Sequence, residues 1–266
     1  MTDRPLTGKV ALVTGAGRGL GRETLASLGC DIAVHGMREN GPAEYGEGTT
    51  LTDTAAHIAA QFNVHTISVL GDLTQIDQVD RVVATAETLG PLHILVHNAG
   101  GDIAAAGGKP DPNDAIMVKQ EDVRAVIDRN LISTIFVCQA VARGMMERRA
   151  GRIVTISSIA AYGGRSNGAI YATAKAGAIH YTRCLAAQLR PFNVTANSIA
   201  PGDTRTGRFL NTRAVDPNRL ATEGTLERIA LVDEVARTVA LFAGPMGEFV
   251  TGQVLRVDGG TQPMPA

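Results

Sequence analysis

The sequence carries almost no net charge. Its 25 Lys and Arg and 26 Asp and Glu are scattered through 266 residues and leave a balance of -1. Binding to nucleic acid or to an anionic bilayer calls for a basic stripe or patch, so neither partner is expected. Cysteine is scarce as well: Cys30, Cys138 and Cys184 form an odd count at wide spacing, with no CxxC pair. That argues against a disulfide framework and for a reducing compartment, each thiol serving as a small buried hydrophobe. The histidines His35, His57, His65, His93, His97 and His180 include no pair at metal-ligand spacing on a common face, so no metal is expected. Ser158 lacks the GxSxG surroundings of a hydrolase nucleophile. No apolar run reaches membrane-spanning length, and the leading segment MTDRPLTGKVALVTG has no apolar stretch followed by a cleavage site. A cytoplasmic protein with no membrane contact is the expectation.

What is present is enough for one core. Apolar residues make up 44% and charged residues 19% of the chain, a balance that predicts a single globular domain over residues 1–266. Short β-branched runs alternate with helical patterns, which predicts repeated βαβ units and a three-layer, doubly wound α/β fold of Rossmann type with a parallel sheet. The predicted strands are Lys9 to Thr14, Asp31 to His35, Val64 to Leu70, Leu92 to His97, Arg152 to Ile156, Asn193 to Ile199 and Gln253 to Val257. Gln120 to Arg149 and Ala169 to Leu189 carry apolar residues at helical spacing and read as the major helices. The Gly- and Pro-rich stretches Glu39 to Thr50 and Gly100 to Asn113 read as surface loops.

The first strand ends in TGAGRGLG, with Gly15, Gly19 and Gly21 ahead of a helical segment beginning near Leu20. Glycines in such a turn let the backbone approach a pyrophosphate, and the amides of the helix start donate to it. A ligand-free glycine turn is the bland alternative. An acidic side chain at the end of the second strand would bond a ribose 2′-hydroxyl, yet that place reads His35, Gly36, Met37, Arg38. Arg18 and Arg38 could instead clamp a 2′-phosphate, so NADP(H) is expected in preference to NAD(H). The competing reading is two ordinary solvated arginines.

In Tyr171-Ala-Thr-Ala-Lys175 the two polar side chains stand four apart and share one helix face. An ammonium beside a phenol favours phenolate, so Lys175 is expected to lower the Tyr171 pKa. Ser158, at the end of the Arg152 to Ile156 strand, can face the same cleft and hold a substrate oxygen. A YxxxK pair alone is a common surface arrangement, and the glycine turn is what gives it weight.

Taken together, TGAGRGLG, Asp72-Leu73, HNAG at His97 to Gly100, RNL at Arg129 to Leu131, ISS at Ile156 to Ser158, YATAK, APG at Ala200 to Gly202 and the late VDGG strongly resemble the short-chain dehydrogenase/reductase family. The resemblance spans nearly the whole chain and the branch that includes 3-oxoacyl-carrier-protein reductases. It implies that Tyr171 is the general acid or base, that Lys175 binds the nicotinamide ribose and that Ser158 orients the carbonyl. It further implies that Asn130 kinks a long helix and holds a water in a relay toward Lys175; a mid-helix Asn bonding to backbone is the alternative. Asp72 and Leu73 correspond to the adenine contacts, Asn98, Ala99 and Gly100 to the ribose wall, and Pro201, Gly202 and the backbone near Thr204 to the carboxamide turn. Gly15, Arg18, Gly19, Leu20 and Gly21 correspond to the cofactor turn.

The resemblance also implies a homotetramer and a small carbonyl or alcohol substrate, either a 3-oxoacyl thioester or a sugar, cyclic or terpenoid alcohol. A non-catalytic nicotinamide-binding sensor is the rival from another class. Three departures stand out. The helix between Gly21 and Gly29 is about three residues short, close to one turn. His97 replaces the usual first Asn of NNAG and reads as structural. The loops Glu39 to Thr50 and Gly101 to Asn113 are long, the second expected to shape one wall of the substrate cleft.

Overall fold

The computed structural model describes residues 4–17 and 25–263. The expected cofactor residues Arg18, Gly19, Leu20 and Gly21 lie outside the described residues. Among the described ones, β1 (Val10–Thr14), β2 (Asp31–Gly36), β3 (Thr66–Leu70), β4 (Leu92–His97), β5 (Gly151–Ile156), β6 (Val194–Pro201) and β7 (Val254–Val257) form one seven-stranded sheet in the order β3-β2-β1-β4-β5-β6-β7. Every adjacent pair is parallel. The expected doubly wound sheet is therefore found, and each expected strand lies within a few residues of its place. Strand order reverses between β1 and β4, which opens a crevice at their carboxyl ends.

Alternate residues of the buried strands feed two separate cores. Leu12, Leu95 and Ile153 pack on one face under α2 (Ile76–Ala86), α4 (Ser133–Arg148) and α5 (Ala169–Leu189). Val13, Val96 and Val154 pack on the other, under α1 (Leu51–Phe62) and α7 (Val232–Ala243). That two-sided burial is why the strands read as nearly unbroken apolar runs. Ordinary capping sets the helix starts: Thr50 accepts a bond from Asp53 N at the head of α1, and Glu234 accepts from Leu231 N at the head of α7.

The stretch read as one helix from Gln120 to Arg149 is helical from Gln120 to Arg148, with a π-turn around Asn130 where a kink is expected. α3 (Gln120–Ile127) runs through a π-turn at Asp128–Ile132 into α4, which stops before Arg149 in the left-handed conformation. The π-turn frees backbone carbonyls, and side chains take them up: Asn130 donates to Val126 O, Ser133 to Arg129 O and Thr134 to Asn130 O. By length and composition Gln120–Arg148 could cross a membrane, contrary to the expectation that nothing here could. Here it lies on the sheet with Val126, Val137, Cys138 and Met145 buried.

Two smaller expectations are corrected. Cys184 is exposed, unlike buried Cys30 and Cys138, because it sits on the outer side of α5. The stretch Glu39 to Thr50 is not wholly irregular: Gly41–Tyr45 is a 3-10 turn, and Thr50 caps α1. Gly100 to Asn113 has no helix or strand, as expected. In the shortened segment before β2, the described part is a 3-10 turn, Ala26–Leu28.

Candidate active site

The crevice between β1 and β4 is a cleft of about 490 Å³. Of the expected cofactor residues, Gly15, Arg38, Asp72, Leu73, Asn98, Ala99 and Gly100 line it. Gly15 has φ +63, and a Cβ there would stand 3.0 Å from the backbone of Ala99. Only glycine keeps this approach open without strain. The hydroxyl of Thr14, a residue that sequence reasoning passed over, organises the neighbouring turn. Thr14 Oγ1 accepts from both Asn98 N and Ala99 N at 3.1 Å, so its own hydrogen goes to His97 Nδ1, also 3.1 Å away. The proton of neutral His97 then sits on Nε2. His97 is thus the structural strand-end residue expected of it. On the other side of the turn His35 Nδ1 accepts from Gly15 N, and its Nε2 hydrogen goes to Gly71 O at 3.0 Å. Burial holds both imidazoles neutral, His35 down to about 4 and His97 to about 3.

At the end of the cleft expected to take adenosine, Asp72 Oδ1 accepts from Thr74 N and from the Thr74 hydroxyl, which fixes the turn after β3. Arg38 faces the same end, with Glu44 and Glu47 of the neighbouring loop on its walls. These residues suit a dinucleotide: a glycine cradle at the switch point, an acidic turn and a cation. Pro201, Gly202 and Thr204 do not line the cleft, nor do Tyr171 and Lys175, which are also expected to touch the cofactor. Gly202 N donates to Val257 O, and Thr204 is buried, its hydroxyl bonded to Gly202 O. Two residues further, Thr206 does line the cleft and caps α6 (Gly207–Thr212) through Phe209 N. Its spacing from the APG turn was the available signal.

The catalytic candidates gather at the adjoining edge. Ser158 follows β5 and accepts from Ala160 N at 3.2 Å, which orients its hydroxyl. α5 starts from Gly168 in a left-handed conformation, whose N–H donates to Asn113 O at 2.7 Å. The helix is pinned to β5 twice: Ser157 Oγ donates to Lys175 O, and Lys175 Nζ to Ile156 O at 2.8 Å. Those ties bring Tyr171 and Lys175 together, with Nζ 5.8 Å from the phenol ring centre. Asn130 Oδ1 accepts from Gly101 N at 2.8 Å while Nδ2 donates to Gly101 O at 2.9 Å. Added to the bond with Val126 O, this engages both of its amide hydrogens with protein. A Cβ on Gly100 would lie 2.7 Å from Asn130 Oδ1 and 3.4 Å from Lys175 Nζ, so the cleft wall at Gly100 and the candidate pair Tyr171 and Lys175 share one seam.

Electrostatically the pair departs from expectation. Burial pulls Lys175 down to about 8 and pushes the Tyr171 phenol up. The groups that oppose the rise are the Ser158 hydroxyl, Arg208 and Arg213; Lys175 is not among them. Desolvation outweighs charge pairing here because burial strips water from both groups and the ammonium is turned toward Ile156 O. At neutral pH Tyr171 is therefore a protonated donor.

A family model described as short chain dehydrogenase matches residues 9–216. The chain is 36% identical over 270 residues to a cyclohexanol dehydrogenase of Rhodococcus sp., covering 98% of each. It is 32% identical over 262 residues to a 3-oxoacyl-[acyl-carrier-protein] reductase of Synechocystis sp., covering 96% of this chain and 97% of that one. Among solved structures, a 7α-hydroxysteroid dehydrogenase complexed with NADH and 7-oxo glycochenodeoxycholic acid superposes with a TM-score of 0.80 at 28% identity, covering 97% of this chain and 96% of that one.

Proposed function

Since the chain belongs to the short-chain dehydrogenase family, an oxidoreductase family acting on alcohol and carbonyl groups, we propose that it interconverts a secondary alcohol and a ketone, with Tyr171 as the proton-transferring residue. The observation that carries this reading is the shared edge of Ser158, Tyr171 and Lys175 beside the glycine-walled cleft. When bound, the nicotinamide supplies or takes the hydride. The work of this chain's residues is then to hold and protonate an oxygen. Ser158 donates to the substrate oxygen, and the protonated phenol of Tyr171 neutralises the charge that develops there. Lys175, with a pKa of about 8, holds the ribose hydroxyls and passes protons toward the phenol. Asn130 serves by fixing Gly101 and the ribose wall, and the relay water assigned to it by resemblance would rest on its main-chain carbonyl, which also accepts the Thr134 hydroxyl. Because the phenol is raised, reduction is favoured near neutrality and alcohol oxidation gains as pH rises.

The retained Tyr171, Lys175 and Ser158 argue against a non-catalytic sensor. A cyclic ketone or alcohol is the first substrate class, supported by the 36% identity to the cyclohexanol dehydrogenase; a 3-oxoacyl thioester is the second, supported by the reductase relatives. Arg38 at the adenosine end, without a carboxylate at the end of β2, supports NADP(H) over NAD(H). We read the chain as one cytoplasmic domain that assembles as a homotetramer through α3, α4 and α5. The exposed Met246, Phe249 and Leu255 by β7 support a second interface there.

The test is absorbance at 340 nm with NADPH and NADH against cyclic ketones and 3-oxoacyl thioesters, run for the parent and for Tyr171→Phe. The variant should lose about 10²- to 10⁴-fold in kcat while nucleotide binding holds within a few-fold. Unchanged turnover in Tyr171→Phe would refute the assignment.

A further inference from the structure

A second feature of the same cleft, resting on the hydride-transfer reading above, bears on the substrate's chemical class. Arg208, near the start of α6, reaches across to the loop after β4. Its Nη2 donates to Asp102 O at 2.9 Å, and its Nη1 covers Gly101 so closely that any Cβ there would collide with it. Gly101 is the residue clamped by Asn130, and it follows Gly100 beside Lys175 Nζ. The guanidinium therefore overhangs the edge where a substrate carbonyl would meet Tyr171. Lys109, at the far end of the same loop, lines the same cleft, and no acidic side chain pairs with it among the described residues. Arg213 adds a third cation from the segment after α6.

The carboxylates nearby are already engaged. Asp203 is shared by Arg213 and Arg219 at 3.3 Å each, Asp102 accepts from Asn113 Nδ2 at 2.7 Å, and Glu47 accepts from Gly207 N. Those bonds leave the carboxylates charged, yet around both Tyr171 and Lys109 the charges of Arg208 and Arg213 are set against that of Asp102, so the balance on the substrate side of the cleft is positive. A cleft of one sign, walled by protein, concentrates ligands of the other sign, and a guanidinium recognises a planar carboxylate with two parallel bonds. We propose that Arg208 and Lys109 select a ketone or alcohol that carries a carboxylate, held between α6 and the 101–113 loop while the carbonyl faces Tyr171 and Ser158. The crowding of cations is also reflected in Lys109 itself, whose pKa is lowered by burial first, then by Arg213, with Asp102 opposing and Arg208 and Arg165 adding to the fall.

The experiment compares 4-oxocyclohexanecarboxylate with its methyl ester, by kcat/KM, in the parent, Arg208→Met and Lys109→Gln. The parent should prefer the carboxylate, and that preference should shrink as salt is raised. Arg208→Met, which also removes a charge near Tyr171 and a bond to Asp102 O, should lose on both substrates but about tenfold or more further on the carboxylate, and Lys109→Gln, an exposed position, about three- to tenfold on the carboxylate. Equal losses on acid and ester would overturn the proposal. So would a variant whose NADPH or NADH affinity falls while its acid-to-ester ratio is unchanged, since the cations would then serve the nucleotide phosphates. Calorimetric binding of unreactive cyclohexanecarboxylate to the nucleotide-loaded protein separates the two readings. If neither these ketones nor 3-oxoacyl thioesters are turned over with either nucleotide, the hydride-transfer reading fails; if cyclohexanecarboxylate does not bind, or binds Arg208→Met as well as the parent, the anion site fails independently.

Discussion

The two ends of the cleft are built from opposite materials. At the nucleotide end the structure is mostly backbone and satisfied polar groups: glycine at φ +63, a threonine hydroxyl with three partners, and a neutral imidazole between Gly15 N and Gly71 O. At the catalytic end a lysine is buried to a pKa of about 8 and a phenol is pushed above its ordinary range. The first end carries no buried charge on its imidazoles at neutral pH, although His97 Nε2 is buried without a partner. The second stores an electrostatic penalty in a buried ammonium, the kind of perturbation that sites of chemistry use.

Replacing Lys175 should break this contrast most sharply. Lys175→Met should cost at least about 10²-fold in kcat, yet stabilise the fold at neutral pH. The folded pKa of about 8 lies below the ordinary 10.5, so the unfolded chain binds this proton more tightly. The penalty is full below pH 8 and fades as pH rises to 10.5. Against the lost bond to Ile156 O, worth about 1 kcal/mol, the net gain should be on the order of 1–3 kcal/mol at pH 7. Urea denaturation at pH 7 and pH 10 checks it. A variant equally destabilised at both pH values would contradict the buried-charge account.

The nucleotide end has its own titration, with a different consequence. His35 and His97 are lowered to about 4 and about 3, so between pH 6.5 and 4 the unfolded chain takes up protons that the folded chain refuses. Stability should therefore fall on acidification through that window. His97→Asn should flatten the acid limb by a few kcal/mol at pH 4 and leave the value at pH 7.5 within about 1 kcal/mol. Parallel acid limbs for parent and variant would assign the acid sensitivity elsewhere.

Gly15→Ala should sharpen the comparison with the smallest effect. The added methyl meets Ala99 backbone at 3.0 Å in a left-handed conformation, a strain of about 1–2 kcal/mol. Nucleotide affinity should weaken about tenfold while kcat at saturating nucleotide stays within about twofold, because no catalytic group moves. Fluorescence titration against steady-state kinetics separates the two. A fall in kcat with unchanged affinity would mean that the ends are not independent.

Most of the scaffold was legible in the chain. Strand ends at His97 and Ile156 were read from β-branched runs bounded by glycine and serine, and the sheet found has those boundaries. The four-residue spacing of Tyr171 and Lys175 needed only helical geometry. Less legible was anything set by packing across elements. Cys184 leads into the apolar run Leu185 to Ala187 but faces outward on α5. Thr204 and Thr206 stand two apart after the same turn, and only the bridge of Thr204 to Ala230 turns the former inward and leaves the latter on the cleft. Arg208 carries no local signal at all, since its reach to Asp102 spans 106 positions.

Period and punctuation along the chain decided the alternation of strand and helix, the glycine turn and the pairing of phenol with amine, because each depends on neighbours within a few residues. The sign of the pKa shifts, the π-turn's side-chain bonds and the cations over Gly101 were decided only once distant segments closed around the cleft. Dielectric and field at a point depend on everything packed about it, and no short stretch of sequence contains that information.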